Sequence, residues 1–298
     1  MLRSSVAQSE VWGHAAPAAE RRALACKHSR GTMKHLKSSL RDLRQVFDRS
    51  VSVRYIAEPF VSFDEQRHAS YIWDFMEGKD FDVAGVRQNG AVAGYVQRAD
   101  LRGGTLEQYM KPFDEQLLAD DWSPLLTVLE LLARFPQVFV VVMGEVSGVI
   151  TKGNPQKAPM RMWLFGVLSL LEVQFLRLIR TAYPQDTWKG FVSANRLAEA
   201  EQLLQERKRR NEAIDLADCL QFADKRTTVF RSDTLRQALG FPSKDKGEEL
   251  LKALEHLRDE LAHAQDIITG HWPQLAAFAL RAEELLAACE ALEPEAAG

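Results

Sequence analysis

The spacing of hydrophobic positions changes twice along the chain. From Met33, apolar residues recur three or four positions apart, which predicts a helix. Between about residues 51 and 155, short apolar runs alternate with turn residues, and this pattern predicts strands and short helices. One long apolar helix is then predicted from Pro159 to about Tyr183, and every later segment up to Leu292 has helical spacing. Ser193 is a candidate cap for the first of these later helices, and the others are predicted over Asp215–Lys225, Asp233–Leu239, Ser243–Thr269 and Pro273–Leu292. The order of these patterns predicts an α+β protein whose C-terminal part is entirely helical.

The mixed segment contains the same series of elements twice. Each copy consists of a helix followed by a β-hairpin. The first hairpin covers Phe81–Val96 and turns at an Asn-Gly pair, which strongly favours a tight hairpin turn, and the second covers Val138–Thr151. The copies are offset by about 54 residues, the separation of Gly94 and Gly148. A repeat of this length indicates one α/β unit that is present twice.

Three segments follow from these patterns. Residues 1–32 have no clear apolar periodicity and are predicted to be a disordered leader. Residues 33–185 are predicted to form the module with the internal repeat, and residues 193–292 an all-helical domain. A chain of 298 residues is long enough for two domains that each bury a core of their own.

The end of each hairpin carries a similar short motif. The first is Gly94–Asp100 (GYVQRAD) and the second is Gly148–Asn154 (GVITKGN). Both resemble the motif of CBS domains, which work in pairs: a Gly, two apolar residues, Thr or Ser, two variable residues and Asp. The resemblance covers roughly residues 50–182 and implies a tandem CBS module with an α/β fold. In that family the Asp binds ribose hydroxyls, while the Thr or Ser and the following helix N-terminus bind phosphate.

The resemblance implies a regulatory adenine nucleotide (AMP, ADP or ATP) held by Asp100, Thr151 and Asn154. Each motif departs from the family pattern at one position, because Gln97 replaces the hydroxyl residue and Asn154 replaces the acid. A neutral Asn should bind a ribose more weakly than a carboxylate does. Lys152 and Lys157 are candidate phosphate partners or solvated lysines. The alternative is a CBS pair that serves as a scaffold and dimer surface without a ligand.

The segment Leu257–Ile267 (LRDELAHAQDI) contains an Arg followed five positions later by a His. It resembles the signature helix of HEPN domains, and the resemblance covers about residues 193–292. The family motif is an Arg, four to six residues and a His, and matches to it also occur at Arg21/His28, Arg22/His28 and Arg30/His35. The position on a long helix near the end of an all-helical domain therefore carries the resemblance. It implies a metal-independent RNA endonuclease in which Arg258 and His263 are catalytic and Asp259 orients one of them.

The chemistry of RNA cleavage explains why this pair of residue types is needed. The 2′-hydroxyl of RNA is the nucleophile, His263 supplies a proton shuttle near neutral pH, and Arg258 supplies a fixed cation for the charged phosphate. Five helical positions place two Cβ atoms about 140° apart, so one helix focuses the two groups poorly. HEPN nucleases assemble their site from two copies. The alternative is a surface histidine and an Arg258 that pairs with Glu255 or Glu260.

Composition limits these hypotheses. Cys26, Cys219 and Cys289 form no CxxC pair, which argues against a disulfide framework or a Cys-based zinc site and favours a reducing, cytoplasmic location. No metal site is predicted. The net charge is −3 for the chain and −4 for residues 196–292, which counts against RNA binding unless a local patch such as Glu206–Asn211 provides it.

The sequence therefore predicts a homodimer in which a CBS pair controls or assembles a HEPN-like helical domain. The predicted partners are an RNA substrate and a small nucleotide. DNA, which lacks the 2′-hydroxyl, is not an expected substrate. No membrane association is expected, because the most apolar stretch, Met162–Leu171, is about half the length of a membrane span. The helix at Met160–Ile179 is predicted to contribute to the dimer contact. The alternative function is a non-catalytic regulator that uses both halves for ligand or protein binding.

Overall fold

The computed structural model describes residues 40–241, 243–263 and 272–292. The described residues from Arg44 onward form one compact unit, and residues 40–43, the beginning of one helix, belong to a second unit. The predicted leader at residues 1–32 lies outside the described residues.

The described elements follow the predicted order. The α-helices, numbered α1 to α9, are Leu40–Ser50, Ala69–Lys79, Leu125–Arg134, Ala158–Ala182, Ala194–Arg209, Phe222–Arg231, Asp233–Ala238, Lys244–Ala262 and Trp272–Ala291. The strands, numbered β1 to β8, are Glu58–Pro59, Ser62–Asp64, Val83–Gln88, Ala91–Gln97, Lys111–Pro112, Leu118–Asp120, Gln137–Val142 and Glu145–Thr151. The mixed α/β part is thus followed by a part without strands among its described residues, as the sequence predicts.

The strands form two sheets of the same topology, with the orders β2-β3-β4-β5 and β6-β7-β8-β1. In each sheet a parallel pair is followed by two antiparallel pairs. The first short strand of each repeat crosses to the other sheet: β1 pairs with β8, and β5 pairs with β4. This exchange ties the two repeats together and places the segments after β1 and β5 between the sheets.

The two hairpins match residue by residue at the predicted offset. The register shifts between Val86 and Arg87 in one sheet and between Val140 and Val141 in the other. The turns also agree, with positive φ at two successive residues of each hairpin: Asn89, Gly90, Met143 and Gly144. The predicted duplication is therefore present in the backbone itself.

The second hairpin turn carries a residue that suits it poorly. Met143 has a φ of 53° and its side chain is 99% exposed, so it bears left-handed strain without gaining any packing. Asn89 occupies the equivalent position of the first hairpin. Met143→Asn should raise the free energy of unfolding by about 1 kcal/mol, since Asn tolerates this conformation. Urea denaturation measures the change, and Glu145→Gln beside the turn is the control. An unchanged midpoint for Met143→Asn would contradict the strain.

The helical part is built around α4. Helices α6, α8 and α9 pack against α4, and α9 also contacts α3 of the second repeat. Trp163, Leu171 and Phe175 are among the fully or almost fully buried residues of α4. By length and composition alone α4 could cross a membrane, with a mean hydropathy of 1.6, yet 67% of its most apolar window is buried inside the protein.

Two predicted helices have different bounds in the structure. The helix expected over Asp215–Lys225 is interrupted, with a 3-10 turn at Leu216–Cys219 followed by α6. The Asp215 carboxylate accepts from two backbone N–H groups of that turn, and Gln221 begins α6 with a capping box of its own, so the chain starts a helix twice. The helix expected over Ser243–Thr269 ends at Ala262, and residues 264–271 lie outside the described part.

Candidate functional site

A cavity of about 360 Å³ lies between the two sheets at the second motif. Its size is at the lower end for small-molecule sites. One wall is apolar and the other is polar, a combination that suits a ligand with a flat ring at one end and hydrogen-bonding groups at the other. The lining residues are Glu58, Pro59, Phe60, Val61, Asp80, Phe81, Asp82, Val83, Val149, Thr151 and Asn154.

A wider cleft of about 730 Å³ adjoins this cavity, and the two share Asp82, Val83 and Thr151. The cleft runs between the ends of the two motifs, because Gln97 lines one side and Gly153 the other. The smaller cavity is the apolar end of this site, and the charged residues Glu77, Arg98 and Lys152 line the wider cleft beside it. The chain crossings after β1 and before β3 supply most of the apolar end.

The Asn154 side chain links the end of the second motif to Thr151 and to the segment before β1. Its Oδ1 accepts hydrogen bonds from the Thr151 backbone N–H at 2.7 Å and from the Thr151 hydroxyl at 3.1 Å. Its Nδ2 donates to the Ile56 carbonyl at 3.1 Å, and the residue is 6% exposed. Asn154, predicted as a ribose partner, thus makes contacts within the chain that fix the start of β1 against the motif.

The contacts of Asn154 predict how the protein responds to the residue that the family motif would place there. In Asn154→Asp the Thr151 donors keep their acceptor, but a carboxylate oxygen then faces the Ile56 carbonyl and a donor is lost. We expect a loss of about 1–3 kcal/mol in the free energy of unfolding, since two acceptors, the new carboxylate oxygen and the Ile56 carbonyl, then face each other in a buried place. Denaturant unfolding above pH 6 measures it, with Asn89→Asp in the exposed turn as the control. An Asp variant as stable as the wild type would contradict this clamp.

Asp100 of the first motif is paired differently. Lys111 Nζ lies 2.7 Å from Asp100 Oδ2, an ion contact outside the geometry of a directed hydrogen bond, and also donates to Gln97 Oε1 at 2.9 Å. Lys111 occupies the position of Glu58 by strand register, because it lies opposite Tyr95 as Glu58 lies opposite Val149. The two halves of the repeat therefore carry opposite charges at equivalent positions.

The space between the sheets is filled differently beside the two motifs. The space beside the first motif is called the first half, and the space beside the second motif is called the second half. In the first half Tyr95 and Phe113 stack with ring centroids 5.8 Å apart, and each ring approaches Phe139 to 4.8 Å. By register, Val149 and Gly85 occupy the positions of Tyr95 and Phe139 in the second half. Smaller side chains at these positions leave the room that the cavity occupies.

The cations near the site differ in their availability. Arg98 Nη1 lies 2.7 Å from Glu77 and its Nη2 lies 3.1 Å from Asp82. Lys157 Nζ lies 2.6 Å from Glu58 and donates to the Ile56 carbonyl, so it fixes the segment around β1. Lys157 is not among the lining residues of the cavity or of the cleft. Lys152 is exposed at the wider cleft, and it has no ion pair among the residues that the structure describes.

Arg258 lies in a network that joins three helices. Its Nη1 lies 3.1 Å from Glu172 Oε2 of α4, and its Nε and Nη2 both donate to Asp259 Oδ1. Lys225 of α6 donates to the other Glu172 oxygen at 2.8 Å. Burial would lower the pKa of Arg258, but the hydrogen bond to Asp259 and the charge of Glu172 raise it above its ordinary value. The guanidinium also lies 5.6 Å from the Phe222 ring centre.

His263 is exposed and follows the last residue of α8, where its backbone N–H donates to the Asp259 carbonyl at 3.0 Å. Arg258 and His263 are thus on one element within one chain, with the Arg turned toward α4. Burial raises the pKa of the Cys289 thiol to about 12 and also raises that of Cys219, so neither buried thiol is an activated nucleophile. Among the described residues, no group of three His, Cys, Asp or Glu could hold a metal ion.

Sequence reasoning did not identify the apolar walls of the cavity, Phe60, Phe81 and Val149. Val149 lies inside the quoted motif and is replaced by Tyr95 in the first copy, so aligning the two copies shows the difference in side-chain size. Phe60 lies on the chain crossing after β1, and no local pattern in a two-residue strand indicates that position.

Comparisons with known proteins found similarity of structure only. No protein-family model matches the chain, and no curated protein matches it. Solved structures with a similar part include CBSX2 in complex with AMP, at 19% identity, with 38% of this chain and 98% of that chain covered and a TM-score of 0.33.

Two further structures of this kind cover a comparable share of the chain. The CBS domain of a bacterial CNNM/CorC family Mg²⁺ transporter in complex with ATP is 15% identical, with 39% and 90% covered and a TM-score of 0.31. A CBS domain-containing protein of unknown function from Bacillus anthracis str. Ames Ancestor is 12% identical, with 37% and 93% covered and a TM-score of 0.33. TM-scores this low carry no weight for function, which has to be argued from the geometry of the chain itself.

Proposed function

We propose that this chain is a nucleotide-responsive regulator in which the duplicated α/β part is a CBS-type pair that binds an adenine nucleotide. The observation that carries this proposal is the cavity at the second motif, which adjoins the wider cleft. A base fits the apolar end between Phe60, Phe81 and Val149, and the sugar then points toward Thr151. Phosphate would lie in the wider cleft, where Lys152 is the available cation.

The position of the site gives the ligand a route to the helical part. The second motif ends at Asn154, four residues before α4 begins. In the first turn of α4, Arg161 Nη2 lies 3.3 Å from the carbonyl oxygens of Glu260 and Leu261, in the last turn of α8. A ligand that moves the motif would thus bias the end of α8, the element that carries Arg258 and precedes His263. This contact supports a regulatory role for the pair.

The binding step is tested by thermal unfolding of the full chain with AMP, ADP and ATP. We expect dissociation constants between micromolar and millimolar, a binding free energy of roughly −4 to −8 kcal/mol. A ligand at one hundred times its dissociation constant stabilises the folded state by about 2.7 kcal/mol. Ribose 5-phosphate and inorganic phosphate are the controls, since they lack the base. No stabilisation by any adenine nucleotide at millimolar concentration would leave the scaffold alternative standing.

Ribonuclease activity is a second candidate function. It is supported by the hydrogen bonds from Arg258 to Asp259, which match the proposed orienting role, and by the exposure of His263. The test is incubation of RNA with the protein in EDTA, with and without AMP or ATP, and comparison with His263→Ala. Cleavage should leave cyclic 2′,3′-phosphate ends, spare DNA and fall by roughly 10²–10⁴ in the variant. Cleavage that requires magnesium or persists in the variant would reject this candidate.

A homodimer remains part of the proposal. The inner side of α4 is buried in its own chain, while Met162, Phe165 and Val173 form an exposed apolar stripe along the helix. A second copy could cover this stripe. Sedimentation velocity of the wild type and of a Phe165→Glu variant tests it: a dimer that becomes a monomer supports the contact, and a monomeric wild type excludes it.

A further inference from the structure

We propose that each chain binds a single nucleotide-type ligand, at the second motif, and that the site selects against polyphosphate. The inference rests on the proposed function and specifies the ligand class: a nucleoside or nucleoside monophosphate is preferred over a free triphosphate. It departs from the symmetry of the repeat, because two equivalent motifs would suggest two equivalent sites. Side-chain packing beside the first motif limits the chain to one ligand, and the charges around the second motif favour a ligand with few phosphate groups.

Packing blocks the equivalent space in the first half. Phe139 is fully buried and Tyr95 is 8% exposed, so the rings that fill that space belong to the core. A base could enter there only by displacing this packing. In the second half, Gly85 stands where Phe139 stands in the first, and a Cβ atom at Gly85 would lie 2.9 Å from the Phe60 ring. Because Gly85 has no Cβ atom, the Phe60 ring packs directly against the sheet, and the cavity beside it stays open.

The acidic residue of the motif is on the filled side. Asp100, the expected ribose partner, lies in the half that Tyr95, Phe113 and Phe139 occupy, and it is held by Lys111. The open half instead has Thr151 and the neutral Asn154 at the motif. The motif that has the family's Asp thus lies in the half that has no room for a base.

Charge around the open site disfavours a triphosphate. Four carboxylates and two cations line the cavity and cleft: Glu58, Glu77, Asp80, Asp82, Arg98 and Lys152. Glu58 is paired with Lys157, which lines neither space, so the lining keeps an excess of negative charge from Glu77, Asp80 and Asp82. Arg98 is already shared between Glu77 and Asp82, which leaves Lys152 as the cation for a ligand. One lysine can offset about one phosphate charge, while the further charges of ATP would meet the carboxylates. Solvent weakens this repulsion but does not reverse its sign.

The test is isothermal titration calorimetry of the full chain with adenosine, AMP and ATP, in EDTA and at low salt. We expect one ligand per chain for adenosine and AMP, and an affinity for ATP at least about tenfold lower than for AMP.

Lys152→Met should weaken the binding of AMP and leave the affinity for adenosine unchanged, because Lys152 is exposed and faces only the phosphate end. Val149→Tyr, which copies the filled half, should abolish binding, and Val149→Ala should retain it. Thermal unfolding of each variant confirms that it is folded.

The outcomes separate this inference from the proposed function. Binding of two ligands per chain, or ATP binding as tightly as AMP, overturns the inference while the nucleotide-binding function stands. Unchanged AMP affinity in Lys152→Met overturns the assignment of the phosphate end. If adenosine, AMP and ATP all fail to bind the wild-type protein, the proposed function and the inference fail together.

Discussion

Replacing Glu172 with alanine should destabilise the protein by about 3–5 kcal/mol, near the lower end of that range. Glu172 is the shared partner of Lys225 and Arg258, and Lys225 is only 7% exposed. Removing the carboxylate leaves a buried ammonium without a partner, which costs more than the ion pair itself contributes. The side chain of Glu172 is 23% exposed, so water reaches it in part and reduces the loss. Urea unfolding monitored by circular dichroism measures the change.

The control for Glu172 is a double variant. Glu172→Leu with Lys225→Met replaces the pair with apolar side chains of similar size, and should recover most of the stability lost in Glu172→Ala. Its recovery would identify the unpaired lysine as the cause of the loss. A Glu172→Ala protein within about 0.5 kcal/mol of the wild type, the usual range for surface substitutions, would contradict the network.

The same network separates two roles for Arg258. If Arg258 mainly joins α8 to α4, Arg258→Ala lowers the melting temperature, while His263→Ala, at an exposed position, leaves it unchanged. If the two residues act together on RNA, both variants lose cleavage and neither unfolds. Measuring melting temperature and RNA cleavage on the same two variants decides between these roles.

Gly94→Ala should destabilise the protein by about 1–3 kcal/mol, toward the upper end. A Cβ atom at Gly94 would lie 2.5 Å from the Lys111 carbonyl oxygen and 2.8 Å from the Met110 side chain. The oxygen belongs to the backbone of β5, which crosses directly against the motif, so β5 has to shift. That shift would also move Lys111 away from Asp100. Thermal and denaturant unfolding both report the loss.

Two other glycines provide matched controls for Gly94. Gly148 occupies the same motif position in the second repeat, but its nearest neighbour is the Val140 Cβ at 3.0 Å, so Gly148→Ala should cost less. Gly78 lies in α2 with nothing within 4 Å, and Gly78→Ala should stabilise by about 0.5–1 kcal/mol through helix propensity. If Gly94→Ala proved no more damaging than Gly148→Ala, the crossing of β5 over the motif would be misplaced.

Local patterns allowed the duplicated unit to be predicted well. Asn89-Gly90 specifies a hairpin turn through its backbone preference, and the alternation around it sets the strands. The long apolar helix α4 and the cap at Ser193 are also local features, and the structure has both. These elements depend on neighbours in the chain, so they can be predicted from the sequence without knowledge of the tertiary fold.

Features that depend on distant partners could not be predicted in this way. Strands β1 and β5 have two residues each, too few for a periodicity, and exist because β8 and β4 pair with them. The alternative to a catalytic Arg258 was a pair with Glu255 or Glu260, one turn away or nearer, but its partner Glu172 lies 86 positions earlier in the chain. The filled half of the pair likewise depends on Phe139 meeting Phe113 across the two sheets.

The proposed function requires a nucleotide in the cavity beside Thr151. The most direct test is photolabelling with an azidoadenine analogue of AMP, followed by mass spectrometry of the labelled peptides. The azido group is carried by the base, so we expect labels on the cavity wall, at Phe60, Phe81 or Val149, and their loss when unlabelled AMP competes. Competable labels in the segment Tyr95–Phe113, or in helices α5 to α9, would contradict it.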